Sequence, residues 1–232
     1  MVKHGKKYNK AHEGIERGTV RSLNEALARL KEVAYASFDE SVDVSVNMGI
    51  DPLKGDQVIR GAVTLPQGTG KVVKVIVFAK GEHAEAAEKA GADYVGADDL
   101  IEKIEGGWLD FNYAVATPDL MGAVGRLAKI LGPRGLLPNK KVGTVTFDVG
   151  SIVKDLKKGR SFFKSDKGGI VHFSLGKVSF DADKLRDNFV AFIKSLISAR
   201  PASVKGQYIK KITLSSTMGP GLGVSADEIL KL

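Results

Sequence analysis

The pattern of strands and helices changes twice along the chain, and this change limits the possible folds more than any other feature. Residues 1–66 and 160–232 contain alternating polar and apolar runs, typical of a sheet with one face in solvent. Residues 67–159 instead alternate apolar strands with helices, typical of right-handed βαβ units. We therefore expect a discontinuous α+β domain of split β-α-β form, 1–66 plus 160–232, and an inserted Rossmann-like three-layer parallel α/β domain, 67–159.

Outside the insert, several segments have clear local signals. Ser22 and Glu25 form a capping box, which indicates a helix start, and Ser41–Met48 alternates polar and apolar residues without a fault. Asp-Lys-Gly-Gly at 166–169 is typical of a tight hairpin turn. The expected elements are a helix over 23–35, strands over 41–48 and 60–65, a hairpin of 160–165 and 170–174, and a helix over 183–200.

Inside the insert, Val72–Ala79 is nearly continuously apolar, as expected for a strand buried on both faces. The segment Gly68-Thr69-Gly70-Lys71 lacks the earlier Gly and the following Ser or Thr of a phosphate-binding P-loop, and no Gly-x-Gly-x-x-Gly turn is present. The expected elements are strands over 72–79, 94–95 and 113–116, and helices over 84–90, 98–104 with Asp98 as its cap, and 118–131.

The chain carries a net charge of +8, and the surplus is unevenly distributed. Residues 160–232 hold 12 basic and 6 acidic side chains and so account for +6 of it. A surplus of this size suits a polyanionic partner. The first ten residues add Lys3, Lys6, Lys7 and Lys10 without an acid, which indicates either a flexible basic arm on phosphates or a solvated tail.

Composition narrows the class of protein further. An apolar share of 43% supports a folded core, and the absence of cysteine excludes disulfides and thiolate metal sites. The four histidines lack the spacing of metal ligands. No apolar run approaches the length of a membrane span, and the first residues lack the apolar segment of a signal peptide. We expect a cytoplasmic protein without cofactor, metal or membrane contact, and a monomer when free.

Two segments are candidates for binding. Ser215-Ser216-Thr217-Met218-Gly219 ends a strand with hydroxyls, an exposed Met and a Gly, which together suit a nucleic-acid surface; a plain polar strand end is the alternative. The second is the Gly- and Pro-rich loop over 131–143, with Leu136 and Leu137 beside basic residues. This loop either seals its own sheet or touches RNA or a neighbouring protein.

The chain resembles the ribosomal protein L1 family of the large subunit, in its bacterial form, over nearly its whole length. The motifs that carry the resemblance are Gly132-Pro133-Arg134-Gly135-Leu136-Leu137-Pro138-Asn139, Ser216-Thr217-Met218-Gly219, Phe38-Asp39-Glu40, Ile50-Asp51-Pro52, Arg60-Gly61 and Gly91-Ala92-Asp93-Tyr94-Val95-Gly96. Three positions depart from the family pattern: Ser37 replaces a usual Lys, Lys140 a usual Pro, and Ser165 a common Asn.

The resemblance implies a structural protein, not an enzyme, that binds 23S rRNA at the mobile stalk near the tRNA exit site. It further implies a part in the release of deacylated tRNA and repression of the protein's own operon mRNA. The implied RNA contacts are Phe38, Asp39, Glu40, Lys164, Asp166, Lys167, His172, Ser216, Thr217, Met218 and Gly219, with Arg134, Lys140 and Lys141 as secondary RNA or stalk contacts.

Two other functions compete with this interpretation. One is an enzyme that binds a nucleotide or sugar phosphate in the α/β domain, because such domains bind ligands at the carboxyl ends of their strands. The other is an unspecific basic protein that coats RNA or DNA, which needs only charge and stacking groups. The Ser-Thr-Met-Gly turn argues against the second.

Overall fold

A computed structural model describes residues 5–16 and 18–226 of the chain. Lys3 of the expected basic arm lies outside the described residues. The α-helices are α1 (Lys6–His12), α2 (Leu23–Val33), α3 (Glu82–Lys89), α4 (Asp98–Glu105), α5 (Met121–Val124), α6 (Ala128–Leu131), α7 (Val149–Lys157) and α8 (Ala182–Ser198). The strands are β1 (Val20–Arg21), β2 (Ser41–Met48), β3 (Arg60–Thr64), β4 (Val75–Phe78), β5 (Tyr94–Gly96), β6 (Tyr113–Ala116), β7 (Arg160–Lys164), β8 (Ile170–Lys177), β9 (Ile209–Ser216) and β10 (Leu222–Val224).

Close contacts divide the chain into two compact units with mixed α and β content. The first unit comprises the residues up to Gly70 and those from Phe162 onward, and the second comprises Lys71–Ser161. Each unit has its own cluster of buried apolar side chains. The turn over 216–219, the candidate recognition turn, belongs to the first unit, and the Gly-Pro loop over 131–143 belongs to the second.

The first unit is built on a five-stranded sheet in the order β1-β10-β9-β2-β8. The predicted strand over 41–48 is confirmed as β2, which pairs antiparallel with β8 on one side and β9 on the other. Its apolar residues Val42, Val44, Val46 and Met48 are buried in the core, because alternate residues of a strand point to one face. The opposite face carries polar residues, including Ser45.

Helices α2 and α8 cover the apolar face of this sheet. The capping box of Ser22 and Glu25 is confirmed, although α2 ends at Val33, two residues earlier than expected. In α8 the predicted apolar stripe is confirmed, and its Phe192 ring stacks on Phe173 with the ring centroids 4.4 Å apart. These aromatic contacts fix the long helix against the sheet.

Two expectations for the first unit are wrong. Residues 6–12 form α1 and not a flexible arm, because Ala11 and the nearby Ile15 are buried in the core and hold this segment against the unit. The expected hairpin is also not formed as such: β7 pairs with β3 and β8 pairs with β2, so the two strands belong to different sheets. A single bridge between Ser165 and Val171 joins them at the turn.

The second unit contains a parallel three-stranded sheet in the order β5-β4-β6. All four residues of β4 are buried, as predicted for a strand covered on both faces. Helices α4, α5 and α6 pack on one face, and α3 and α7 lie against the strands on the other. The strand is shorter than expected: Val72 is 95% exposed and precedes it.

Two details of the second unit differ from expectation. Ala97, not Asp98, is the N-cap of α4, and the Asp98 carboxylate instead accepts a 3.0 Å hydrogen bond from the Lys80 ammonium. The helix expected over 118–131 is divided into short α and 3₁₀ segments, although its Val124 and Leu131 are buried as the pattern required. The apolar side chains of this segment therefore remain buried, although its backbone does not form one continuous α-helix.

The Gly-Pro loop favours one of its two expected roles. Leu136 and Leu137 are half-buried and pack against the apolar core of the second unit, and the Leu136 amide donates to the Leu131 carbonyl at 3.0 Å. The leucines therefore seal the unit's own sheet. Arg134, Lys140 and Lys141 are exposed on the same loop.

Candidate nucleic-acid interface

The turn that follows β9 is held in shape by its own side chains. The Ser216 hydroxyl is buried and accepts a hydrogen bond from the Gly219 amide at 3.1 Å. A Cβ atom at position 219 would lie 2.4 Å from the Ser216 oxygen, so the turn closes this tightly only with glycine there. Ser216 and Gly219 thus shape the turn, which leaves Thr217 and Met218 at its tip.

Glu40 fastens this turn to the segment between α2 and β2. Its Oε1 accepts hydrogen bonds from the amides of Tyr35 at 3.1 Å and Ala36 at 2.9 Å, and its Oε2 accepts one from the Met218 amide at 3.0 Å. Burial raises the pKa of this carboxyl, but the hydrogen bonds from Met218, Ser216, Ala36 and Tyr35 together lower it below its ordinary value. The ionised carboxylate is therefore the form that the network stabilises.

Glu40 consequently has a different role from the one expected. Only 2% of the residue is exposed, so its carboxylate is not offered to RNA. It lies where three backbone amides from two distant parts of the chain converge. A buried carboxylate in such a position sets the geometry of the recognition turn, and we regard it as a positioning residue.

Two further hydrogen bonds join the same two segments. The Tyr35 hydroxyl donates to the Met218 carbonyl at 2.9 Å, and the Ser41 amide donates to the Thr217 hydroxyl oxygen at 2.9 Å. The Thr217 hydroxyl is therefore engaged within the protein, although the residue is exposed. The hydroxyl therefore helps to hold the turn.

The apolar groups beside this network remain open to solvent. Phe38 is 55% exposed and Met218 is 48% exposed. Phe38 therefore does not pack in the core. A flat aromatic ring and a flexible thioether beside a rigid backbone turn suit contact with bases or sugars.

Asp39 acts in the same corner as a local brace. Its carboxylate accepts hydrogen bonds from the Ser179 amide at 3.1 Å and the Ser179 hydroxyl at 2.7 Å. Lys177 donates to the Asp39 carbonyl at 3.2 Å. These contacts fix the segment that presents Phe38, and they involve two residues that sequence patterns alone did not single out.

A second cluster surrounds the turn between β7 and β8. Hydrogen bonding from the Ile170 amide lowers the pKa of Asp166, burial opposes this, and the Gly168 amide and His172 lower it further. The two amide contacts measure 2.7 Å from Ile170 and 2.8 Å from Gly168. Lys164 and Lys167 are exposed at this turn, so their ammonium groups are open to phosphates.

His172 connects this turn to the polar face of the sheet. A ring nitrogen, Nδ1, lies 3.0 Å from the Ser45 hydroxyl, and Nε2 lies 3.7 Å from the Asp166 carboxylate. Within the sheet, Ser45 of β2 lies opposite His172 of β8 on one side and opposite Thr213 of β9 on the other. His172 is thus a partnered sheet residue whose exposed ring is available to a ligand on this face.

The structure therefore gathers the expected residues into three groups. Phe38, Asp39, Glu40 and the turn residues Ser216, Thr217, Met218 and Gly219 share one network; Lys164, Asp166, Lys167 and His172 surround the second turn; and Arg134, Lys140 and Lys141 lie on the second unit. Sequence reasoning missed Tyr35, whose hydroxyl reaches the Met218 carbonyl across 183 positions of sequence. No short motif signals a contact of that range.

Helix α1 adds basic groups beside the recognition turn. Lys6, Lys7 and Tyr8 line an open cavity of about 650 Å³ together with Tyr35 and the turn residues 217–219. Lys6, Lys7 and Lys10, which were expected on a flexible arm, are therefore presented from a helix. The positive charge of Lys6 and Lys7 lies next to Thr217 and Met218.

Several other kinds of site are absent from the part of the chain that the structure describes. No group of three or more His, Cys, Asp or Glu side chains there is arranged to hold a metal ion. Within residues 5–16 and 18–226, no helix has both the length and the apolar character needed to cross a bilayer.

Comparison with known protein families gives a match over most of the chain. The sequence model of the ribosomal protein L1p/L10e family matches residues 30–220. This range includes every residue that the resemblance implies as an RNA contact and runs through both compact units. The family consists of structural RNA-binding proteins of the ribosome, which excludes the competing interpretation as an enzyme and places the protein in the cytoplasmic ribosome. The chain therefore belongs to the ribosomal protein L1p/L10e family and is a structural, rRNA-binding protein of the large ribosomal subunit.

Proposed function

We propose that the protein, as a bacterial form of this family, binds 23S rRNA at the mobile stalk near the tRNA exit site through its first unit. In that position it takes part in the release of deacylated tRNA. It also binds the mRNA of its own operon and represses its translation, using the same surface for both RNAs. The free protein is a monomer in this account.

The network around Glu40 is the observation that carries the proposal. It ties residues 35–41 to the turn 216–219 and leaves Phe38 and Met218 exposed beside it. A protein that coats RNA without specificity needs charge and stacking groups, but not a buried carboxylate that fixes a backbone turn. A fixed turn instead suits recognition of one RNA shape, in which backbone and 2′-hydroxyl contacts carry the specificity.

The charge distribution supports the same assignment. Of the net charge of +8, the segment 160–232 carries +6, and it contains both the 216–219 turn and the 166–169 turn. Phosphate contacts from lysines supply affinity, whereas the fixed turn supplies register and shape selection. Arg134, Lys140 and Lys141 serve as secondary contacts to RNA or to the stalk.

We also propose that the two units act as separate domains. The proposed domains are 1–66 with 160–232 for rRNA binding, and 67–159 as the insert. The division by contacts lies within a few residues of these boundaries, at Gly70 and Phe162. The main RNA site then belongs wholly to the discontinuous domain.

Binding measurements at two salt concentrations test the proposal. The protein is titrated with a structured 23S rRNA fragment from the stalk and with a scrambled RNA of the same length and composition. We expect the structured fragment to keep a large advantage at high salt, because only unspecific binding consists almost entirely of counterion release. Equal affinities for the two RNAs at high salt would leave only a coating function.

Competition experiments test the finer claims. The leader of the protein's own operon mRNA is expected to displace the rRNA fragment completely, since both use one surface. Simultaneous binding of the two RNAs would refute a shared site. A separate experiment tests the tRNA step. Ribosomes carrying Arg134→Gln are expected to release deacylated tRNA more slowly than the parent. An unchanged release rate would show that Arg134 takes no part in that step.

A further inference from the structure

An open cavity lies between α1 and the turn over 216–219, and we call it the α1 cleft. It measures about 650 Å³. The side chains of α1 at positions 6–8 form one side of it, and Tyr35 and the turn residues 217–219 form the other. All of these residues belong to the first unit. The cleft therefore shares one wall with the recognition turn and adds a wall of its own.

Aromatic and apolar surfaces make up most of the lining. Tyr8 and Tyr35 supply two phenol rings, and Met218, which is 48% exposed, supplies a thioether. Proteins that bind single-stranded RNA hold unstacked bases on aromatic side chains, and a thioether packs favourably against a ring. Every base has such a flat face, so stacking of this kind tolerates different sequences. The lining thus suits a flat ring.

Positive charge lies at the same cleft. Lys6 and Lys7 are exposed, and none of the described residues that line the cleft is acidic. Exposed ammonium groups of this kind pair with the phosphates of a nucleic acid. A ligand that brings a flat ring and a phosphate together is a nucleotide, so the combined lining favours that class of ligand.

The size of the cleft agrees with this class. Pockets of about 300–1,000 Å³ accommodate drug-sized molecules, and a base with its sugar and phosphate is of that size. The cleft is also open to solvent on one side. An RNA strand can therefore place one nucleotide in it while the flanking nucleotides remain outside.

Both walls of the cleft are fixed before any ligand binds. The Tyr35 hydroxyl donates to the Met218 carbonyl at 2.9 Å, and the Met218 amide donates to the buried Glu40 carboxylate at 3.0 Å. On the other side, burial of Ala11 and Ile15 in the core holds α1 in place. A preformed site spends less of its binding free energy on ordering its own groups.

We propose that the α1 cleft binds one unstacked nucleotide of the bound RNA, with the base against Tyr8 and Met218 and its phosphate beside Lys6 and Lys7. This inference rests on the proposed function and deepens it, because it adds a subsite next to the recognition turn. Helix α1 precedes the residues that match the family model, so the family match assigns it no role.

Removal of single bases tests the proposal. The structured stalk fragment of 23S rRNA is prepared with an abasic site at each unpaired position in turn, and the full chain and its Tyr8→Leu variant are titrated with each fragment at high salt. We expect one abasic position to weaken binding to the parent by about fivefold or more, as for loss of one stacked base. The same position is expected to cost little with Tyr8→Leu, because both changes remove one contact. Equal losses with both proteins at every position would overturn the proposal.

A conservative variant tests whether the aromatic ring is the group that matters. Tyr8→Phe keeps the ring and is expected to bind all of the fragments as the parent does. If Tyr8→Phe lost as much affinity as Tyr8→Leu, the base would not lie on this ring, and the proposal would fail.

The lysines provide a second, independent measurement. Lys6→Gln combined with Lys7→Gln is expected to lower the slope of log affinity against log salt by at least about 0.7, the value for one lost phosphate contact. The control combines Lys10→Gln with Lys205→Gln, which removes two exposed lysines that do not line the cleft. Should Tyr8→Leu lose helix α1, this comparison still decides, and equal slopes for the two double variants would refute the proposal.

The outcomes also separate this inference from the proposed function. If the parent and Tyr8→Leu prefer the structured fragment over scrambled RNA to the same extent, the proposed function stands and the α1 cleft has no part in RNA binding. If the parent itself binds both RNAs equally at high salt, the proposed function fails, and the inference about the α1 cleft fails with it.

Discussion

Substitution of Glu40 by Gln is the sharpest perturbation that the structure offers. The side chain keeps its shape, but one carboxylate oxygen becomes an amino group. Oε1 serves the Tyr35 and Ala36 amides and Oε2 serves the Met218 amide, so a single remaining oxygen satisfies only one side of the network. The amino group then faces at least one backbone N–H donor, and the turn loses its anchor.

The magnitude follows from the buried donors that lose their acceptor. An unsatisfied buried donor costs about 1–3 kcal/mol, and hydrogen bonds to a charged group lie in the upper part of that range. We expect Glu40→Gln to lower the free energy of unfolding by about 2–3 kcal/mol. For a chain of this size each kcal/mol lowers Tm by about 2–4 °C. Calorimetry measures both quantities.

Acid titration gives a second, independent readout of this substitution. Because the folded-state pKa of Glu40 lies below its ordinary value of 4.5, the carboxylate contributes stability that is present above this value. That contribution is lost as the pH falls through the folded-state pKa. The difference in unfolding free energy between parent and Glu40→Gln is therefore expected to be constant near neutral pH and to shrink below about pH 4.5.

RNA binding links the same substitution to function. Displacement of the turn is expected to weaken binding to the structured rRNA fragment about tenfold or more and to leave the salt slope unchanged, because no phosphate contact is removed. Glu32→Gln is the control, since its carboxylate lies exposed in α2 and pairs only at the surface with Arg29. If Glu40→Gln matched Glu32→Gln in both Tm and rRNA affinity, the network would not hold the turn.

The other variants separate anchoring, apolar contact and charge. Thr217→Ala removes the acceptor of the Ser41 amide, a hydrogen bond with a net value of about 0.5–1.5 kcal/mol. We therefore expect titration to show a loss of specific RNA affinity of up to about tenfold. An unchanged affinity would show that the hydroxyl is not needed for binding. Met218→Ala is expected to lose affinity at an unchanged salt slope, because it removes only apolar contact, and a changed slope would contradict this. Lys167→Ala is expected to weaken binding to structured and scrambled RNA alike and to lower the slope by about 0.7–0.9. A chain that joins residues 1–70 directly to 162–232 is expected to melt cooperatively and to keep most of the specific RNA affinity. If the isolated insert kept the specific affinity instead, the main RNA site would lie in the second unit.

Elements governed by local rules could be predicted from the sequence. The strand Ser41–Met48 follows from strict alternation, and the start of α2 follows from a capping box whose two partners are three residues apart. The buried face of α8 follows from its apolar spacing. In each case neighbouring residues carry the information, and the remainder of the chain does not compete with it.

Features that depend on distant partners could not be predicted in this way. The segment Arg160–Lys164 has the pattern of a hairpin strand, but β3, about a hundred positions earlier in the chain, is its partner. Glu40 stands in a motif that the family resemblance assigned to RNA contact, yet its carboxylate accepts from the Met218 amide 178 positions away. Burial of this kind is decided by tertiary packing, which local patterns do not report.

The N-terminal segment is a further case in which a local pattern predicted the wrong structure. Four lysines among the first ten residues indicate a solvated or phosphate-bound arm. Helix α1 forms because Ala11 and Ile15 are buried against the core of the first unit. Burial of these two apolar residues outweighs the charge pattern, and Lys6 and Lys7 lie beside the recognition turn.

Site-specific photo-crosslinking tests the central claim most directly. Phe38 and Phe147 are nearly equally exposed, at 55% and 54%, but belong to different units, so p-benzoylphenylalanine in place of either gives a matched pair of probes. With the structured stalk fragment of 23S rRNA at high salt, the account predicts a strong crosslink from position 38 and little from position 147. It also predicts that scrambled RNA crosslinks weakly to both. A crosslink from position 147 and none from position 38 would contradict the assignment of the specific RNA site to the first unit.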